Sequence, residues 1–197
     1  MWGADERMVA ISRPSIETLE RFLAECTEEG LSYGAVGLSE LSPVGFTVDR
    51  ERTVLGRGPA VFAKACHCLR SWQHFSLPWV ILHPPAPAIV PGTTVVVVVR
   101  YLGLWWLNAC RVVRVISDEP EKWGFAYGTL WAHAESGEES FLVQIEPPDG
   151  IVTYSVRAVA RPRALVARVG YPFTRALQAR FRRDSAAVMR RAVAGGV

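Results

Sequence analysis

The chain has no apolar run able to cross a bilayer. Its longest aliphatic stretch, Val95 to Val99, falls far short of the ~20 residues that a spanning helix needs. Its first residues do not read as a secretory leader, because Asp5, Glu6, Arg7 and Arg13 interrupt any hydrophobic segment there. No stable membrane insertion is therefore expected, and a cytoplasmic protein is the default. Familiar chemical signatures are also missing. There is no Gly-rich phosphate loop followed by Lys and Ser or Thr, no Gly-x-Ser-x-Gly elbow and no paired-histidine metal motif. Gly56-Arg-Gly-Pro59 comes nearest to a phosphate loop but lacks the third glycine and reads as a turn. No cofactor is expected.

Cysteine is scarce as well. Cys26, Cys66, Cys68 and Cys110 are all there is, and their spacing suggests no disulfide framework. Cys66-His67-Cys68 lies in a segment with helical periodicity, where side chains two apart point in different directions. Zinc sites usually set cysteines roughly two to four residues apart against a second ligand pair, and none is present, so no metal is expected. Such thiols are most often buried and structural. Charge is modest, at 21% of residues with a net +3, which is too little to argue for nucleic acid. Half of the residues are hydrophobic, a composition that excludes disorder. At 197 residues the chain suits one domain with a substantial core.

What is present is a change of hydrophobic period. Arg13-Pro-Ser15 opens an amphipathic helix through Ile16, Leu19, Phe22, Leu23 and Cys26, with Gly30 as its stop. Residues 31–44 read as a connecting loop and Phe46 to Leu55 as a first strand. A second helix runs from Pro59 to Gln73. The period then becomes two. Strands are expected at Pro78–His83, Thr93–Tyr101, Ala109–Ser117, Trp123–Trp131, Glu139–Glu146 and Ile151–Val159. Pro147-Pro-Asp-Gly150 is strong turn chemistry, and connections this short make the sheet antiparallel. Arg161 to Val193 reads as helical with a break at Gly170-Tyr-Pro172.

This order predicts an α+β helix-grip fold. A curved antiparallel sheet of about seven strands would surround a long C-terminal helix, whose stripe of Phe173, Leu177, Phe181, Val188 and Ala192 must be buried. An N-terminal helical segment, residues 1–32, would pack on a helix-grip domain, residues 33–197, forming one compact unit. The last helix also carries Arg175, Arg180, Arg182, Arg183, Arg190 and Arg191 against Asp184. Such a surface suits acidic lipid or nucleic acid, but a solvated outer face is the more common outcome. No nucleic-acid partner is expected, and a homodimer is left open.

Several motifs together resemble a bacterial and plant family, the domain of unknown function numbered nineteen-ninety. They are Arg13-Pro-Ser15, Trp72, Gly92-Thr93, Leu102-Gly-Leu104, Asn108-Ala-Cys-Arg-Val112, Gly124-Phe-Ala-Tyr-Gly-Thr-Leu130, Gly137-Glu-Glu139, Arg157-Ala158 and Arg161-Pro162. That family is similar, more distantly, to the helix-grip superfamily of START domains and birch-pollen allergens, which includes ligand binders and cyclases. The resemblance implies a cavity between sheet and helix. It does not carry a function with it. Two departures fall where such a cavity would have its rim or lining. Tyr33-Gly-Ala-Val-Gly37 stands where relatives tend to have a Tyr-x-Pro-like opening, and Trp131 stands where they usually have proline.

Candidate site residues follow from the central strands. Trp123, Phe125, Tyr127 and Trp131 share one face of their strand, opposite Gly124, Ala126 and Gly128. If that face looks inward the cavity is aromatic; if outward, it offers a partner surface. Tyr127, Arg111 and His133 are candidates to polarise or transfer a proton at a ligand oxygen. Trp123, Phe125, Trp131, Glu139, Phe173 and Leu177 are candidates to line the cavity. Each has a plainer reading: a packed tyrosine, a buried arginine paired with Glu139 or another carboxylate, an exposed loop histidine. The expected function is binding of a hydrophobic or aromatic small molecule. The alternative is a cofactor-free cyclase or isomerase acting on a polyketide-like or other hydrophobic intermediate. An interaction module using exposed aromatics is a third reading.

Overall fold

Side-chain alternation on the central strands explains most of the architecture. The computed structural model describes residues 6–117, 119–163 and 171–195. Its elements in chain order are β1 (Val9–Ala10), α1 (Ile16–Thr27), β2 (Thr47–Arg57), α2 (Pro59–Arg70), β3 (Val80–His83), β4 (Thr94–Tyr101), β5 (Leu104–Ile116), β6 (Lys122–Thr129), β7 (Glu135–Glu146), β8 (Ile151–Pro162) and α3 (Tyr171–Ala194). Every pairing is antiparallel, in the order β2-β8-β7-β6-β5-β4-β3, with β1 added to β5. The long terminal helix lies against this sheet in a helix-grip arrangement.

The expected elements are present, with shifted ends. The eighth strand is β1, whose two residues pair with Trp106 and Trp105 and are too short to carry a periodic signal. β5 begins at Leu104 and β7 at Glu135, both earlier than expected, because paired neighbours hold Asn108 and Ser136 in the ladder despite their polarity. Arg161 and Pro162, expected as helix, finish β8 opposite Ser136 and Glu135. Of the expected helical stretch, residues 164–170 lie outside the described residues, and α3 begins at Tyr171, next to Pro172. α2 stops at Arg70, where Trp72 takes a left-handed conformation (φ 56°) and a 3₁₀ turn, Gln73–Phe75, follows.

The sheet is covered on both faces. Inward-facing Val95, Val97, Cys110, Val112, Phe125, Phe141, Val143 and Tyr154 meet α2, the 3₁₀ turn and α3 residues Ala186, Met189 and Val193. On the opposite face Val96, Val98, Leu107, Ala109 and Leu130 meet Leu19, Phe22 and Cys26 of α1. A strand buried on both sides has no solvent face to mark with polar residues, hence the unbroken valines of β4. His74 sits fully buried in the inner core, its ring 4.6 Å from Phe141 and 4.7 Å from Phe75. Among the described residues neither of its nitrogens has a partner, and burial pushes its pKa down to about 3, so the imidazole is a neutral packing group.

Residues 31–44, expected as a plain loop, form a strap over the outer face. Glu138 anchors it. Its carboxylate accepts from Tyr33 Oη (2.9 Å), the Gly37 amide (3.0 Å), the Ser39 amide (3.1 Å) and Ser39 Oγ (2.5 Å). Arg157 adds hydrogen bonds to the carbonyls of Ser39 and Leu41. Gly128 makes this approach feasible, since a Cβ there would lie 2.1 Å from Tyr33 Oη. Removing the Glu138 carboxylate strands several buried donors, so Glu138→Ala is expected to cost about 3 kcal/mol, or roughly 6–12 °C in Tm for a chain of this size. Glu138→Gln, with one acceptor oxygen, should fall between. Thermal unfolding followed by circular dichroism checks the order, and equal Tm values for all three proteins would refute the tether.

Candidate functional site

Between the first half of α3 and strands β4 to β8 lies a cavity of about 260 Å³. Strand alternation aims Val97, Val99, Cys110, Tyr127, Glu139, Ala158 and Ala160 into it, and α3 closes it with Leu177, Gln178, Phe181 and Arg182. Phe75 and Trp79 complete one wall. Two exposed apolar side chains also line it: Phe173 at the start of α3 (58% exposed) and Leu102 in the β4–β5 turn (69%). Leu102 and Gly103 both take positive φ (52° and 78°), as a two-residue hairpin turn requires. A leucine held in that conformation is strained.

The lining is mostly apolar, with polarity gathered at β7 and α3. Tyr127 and Glu139 are directly opposed across β6 and β7, which explains why Tyr127 Oη donates to Glu139 Oε2 at 2.6 Å. Among the described residues, that phenol is the one hydrogen-bond partner of Glu139. Gln178 Nε2 donates to Glu135 Oε2 (2.6 Å) while its Oε1 accepts from Arg175 (2.8 Å). Arg175 and Arg182 both hold Asp49 of β2, Arg182 at 3.2 Å.

These surroundings set the protonation states. Burial pushes Glu139 up to about 7, against the Tyr127 hydrogen bond and the Arg182 charge, which pull it down. Burial raises Glu135 too, opposed by Gln178 and Arg175. For Asp49 burial alone would raise the carboxyl, but the Arg175 hydrogen bond and the Arg182 charge hold it below its ordinary value. Burial first, then the Glu139 charge, pushes Tyr127 well above an ordinary phenol. Near neutrality the cavity therefore presents a phenol that keeps its proton beside a carboxyl that exchanges one.

Of the candidate residues, Tyr127, Glu139, His133, Phe173 and Leu177 line this one cavity. His133 is not an exposed loop residue. Its Nδ1 accepts from the Glu135 amide (2.9 Å), and burial, helped by Arg163, takes its pKa down to about 4. Arg111 lies elsewhere. Because Cys110 points inward, Arg111 points outward, and its guanidinium donates to the Thr27 (2.6 Å) and Glu29 (2.9 Å) carbonyls at the end of α1. Among the described residues no carboxylate pairs with it; it caps orphan carbonyls of a helix C-terminus. Trp123 and Phe125 share the inward face but pack beyond the cavity, Phe125 against Trp72 and Phe141, Trp123 beneath Arg70 (4.4 Å). Trp131 is 54% exposed under Arg163.

Glu135, Gln178, Arg182 and Asp49 were not expected. Gln178, Arg182, Ser185 and Met189 fall at helical spacing on one face of α3, so the position of Arg182 was visible, but its charge placed it with the solvated arginines. Among the described residues no cluster of three or more His, Cys, Asp or Glu could hold a metal ion. No helix there is long and apolar enough to cross a membrane.

Known proteins match this chain closely in sequence and more loosely in structure. The family model described as a domain of unknown function, DUF1990, matches residues 32–188. A UPF0548 protein of Dictyostelium discoideum is 31% identical over 94% of this chain and 96% of its own length. A UPF0548 protein of Deinococcus radiodurans is 33% identical over 94% and 98%. Among solved structures, the di-domain ARO/CYC BexL from the BE-7585A biosynthetic pathway aligns with a TM-score of 0.51 at 14% identity, covering 82% of this chain and 54% of that one. At that identity the likeness concerns the fold.

Glu139 makes stability depend on pH. It ionises near 4.5 in the unfolded chain and near 7 in the folded one. The folded state therefore holds the proton more tightly, and this contribution is complete below about 4.5 and lost as pH rises through 7. Between about pH 5 and 8, wild-type Tm should fall more steeply than that of Glu139→Gln, each 1 kcal/mol corresponding to roughly 2–4 °C. Parallel profiles in a differential scanning measurement would show that the carboxyl is not held protonated.

Proposed function

The chain belongs to the DUF1990 family, and we propose that it binds a small hydrophobic or aromatic molecule between the sheet and α3, with Tyr127 and Glu139 orienting its polar group. One observation carries this reading: an apolar hollow in which a single phenol–carboxyl pair points inward from opposed strands. Sites for small molecules have this character, largely apolar with a few placed polar groups. The volume, about 260 Å³, sits just under the usual range of roughly 300–1,000 Å³, which favours a compact ligand.

A second reading, cofactor-free cyclisation or isomerisation, draws support from the same pair. A carboxyl poised near 7 within an apolar wall suits general acid–base work at neutral pH. The ARO/CYC neighbour agrees with it at the level of fold only.

The binding reading is tested with N-phenyl-1-naphthylamine, a neutral probe that brightens in apolar surroundings. Wild type should bind one equivalent. Ala160→Phe, which fills the hollow from β8, should weaken binding by roughly tenfold or more with an unchanged circular dichroism spectrum. Equal affinity in the variant would place the probe elsewhere and defeat the proposal. Native mass spectrometry of freshly purified protein would reveal a retained molecule. If that molecule is turned over, Tyr127→Phe should abolish conversion while weakening its binding far less.

A further inference from the structure

Counting charge in and around the cavity narrows the ligand class. The charged and titratable side chains around Glu139 come from every element packed there: Glu135 on β7, Tyr127 on β6, Cys110 on β5, Asp49 on β2, Tyr154 on β8, and Arg175 and Arg182 on α3. His133 beside them is neutral near pH 7, as are the phenols and the thiol, all raised by burial. That leaves three carboxyl groups against two guanidiniums among the described residues. Asp49 engages both guanidiniums. Glu135 receives the Gln178 amide and lies in the field of Arg175. The unmatched negative charge falls on Glu139, whose partner is a neutral phenol.

An unpaired carboxylate in an apolar wall is costly, and a mobile cation brought against it removes the cost. The walls suit a cation too, since Phe75, Trp79, Tyr127 and Phe181 surround the space and aromatic faces attract ammonium groups. An anionic ligand would add a fourth acid to two guanidiniums that are already engaged. We propose that the cavity selects a cationic ligand, an amine carried on a compact apolar or aromatic skeleton, with its ammonium group against Glu139. This rests on the cavity-binding reading above and specifies its chemistry.

Three compounds sharing one ring system separate the possibilities: 1-naphthylmethylamine, 1-naphthalenemethanol and 1-naphthoate, titrated calorimetrically into wild-type protein at about pH 8, where Glu139 is ionised. The amine is expected to bind roughly tenfold or more tighter than the alcohol, and the naphthoate more weakly than either. In Glu139→Gln the amine should lose that advantage. Alcohol or naphthoate binding as tightly as the amine would overturn selection for a cation while leaving the cavity reading standing. So would an amine preference that survives in Glu139→Gln. If none of the three binds, the cavity reading itself falls, and the charge argument with it.

Discussion

Two adjacent carboxylates on β7 decide how this molecule is organised. A strand sends neighbouring side chains to opposite faces, so Glu138 and Glu139 leave the same backbone in opposite directions. Glu138 meets four donors from the strap at residues 33–39 and fixes the outer layer to the sheet. Glu139 meets one phenol and an open cavity. A shift of one residue in the β6–β7 register would exchange them, stranding the strap donors and putting a structural anchor inside the hollow. The register is held by Phe125 opposite Phe141 and Trp123 opposite Val143, whose bulk tolerates only the inner face.

Periodicity made the layered plan readable. Alternation in β6 and the valines of β4 are strong local signals, and the apolar spacing of α3 demands a partner surface. Less readable was whatever depends on both faces at once. Arg111 sits among aliphatic residues and resembles a buried arginine in need of an acid. Its partners are the Thr94 hydroxyl and carbonyl oxygens at the end of α1, the latter groups that every residue carries and that no sequence pattern marks. The strap failed for the same reason: its glycines and serines look like loop chemistry, and they are, but their amides are spent on a distant carboxylate. β1 and the start of β7 owe their strand conformation to neighbours rather than to their own residues.

The site was half visible for a related reason. Tyr127 and Glu139 stand twelve residues apart in sequence, and only the pairing of β6 with β7 makes them neighbours. Which face looks inward could not be settled from the alternation of β6 alone, because Trp123 and Tyr127 would suit a core or a surface equally. Gly128 on the opposite face, pressed by Tyr33, settles it. Arg182 was hidden by its own company. Of the seven charged residues on this polar helix, Arg182 and Arg175 are set apart only by the acid they share, Asp49, more than a hundred residues earlier.

Burying acids in an apolar cavity works against stability, and the arrangement shows where the penalty has been removed. Asp49 is neutralised by two arginines, and Glu135 is hydrogen-bonded by an amide that Arg175 in turn orients. Glu135 still keeps part of its penalty, and Glu139, with only a neutral phenol for a partner, keeps more, so that its proton is held to about pH 7. A protein under selection for stability alone would place glutamine or leucine there, since replacing a buried charge with a neutral group is usually neutral or favourable. Residues that break local rules without local compensation mark places where something else is gained. Here the group faces an apolar hollow, opposite a phenol and ringed by aromatic side chains, which is where the proposed cationic ligand would supply the partner it lacks.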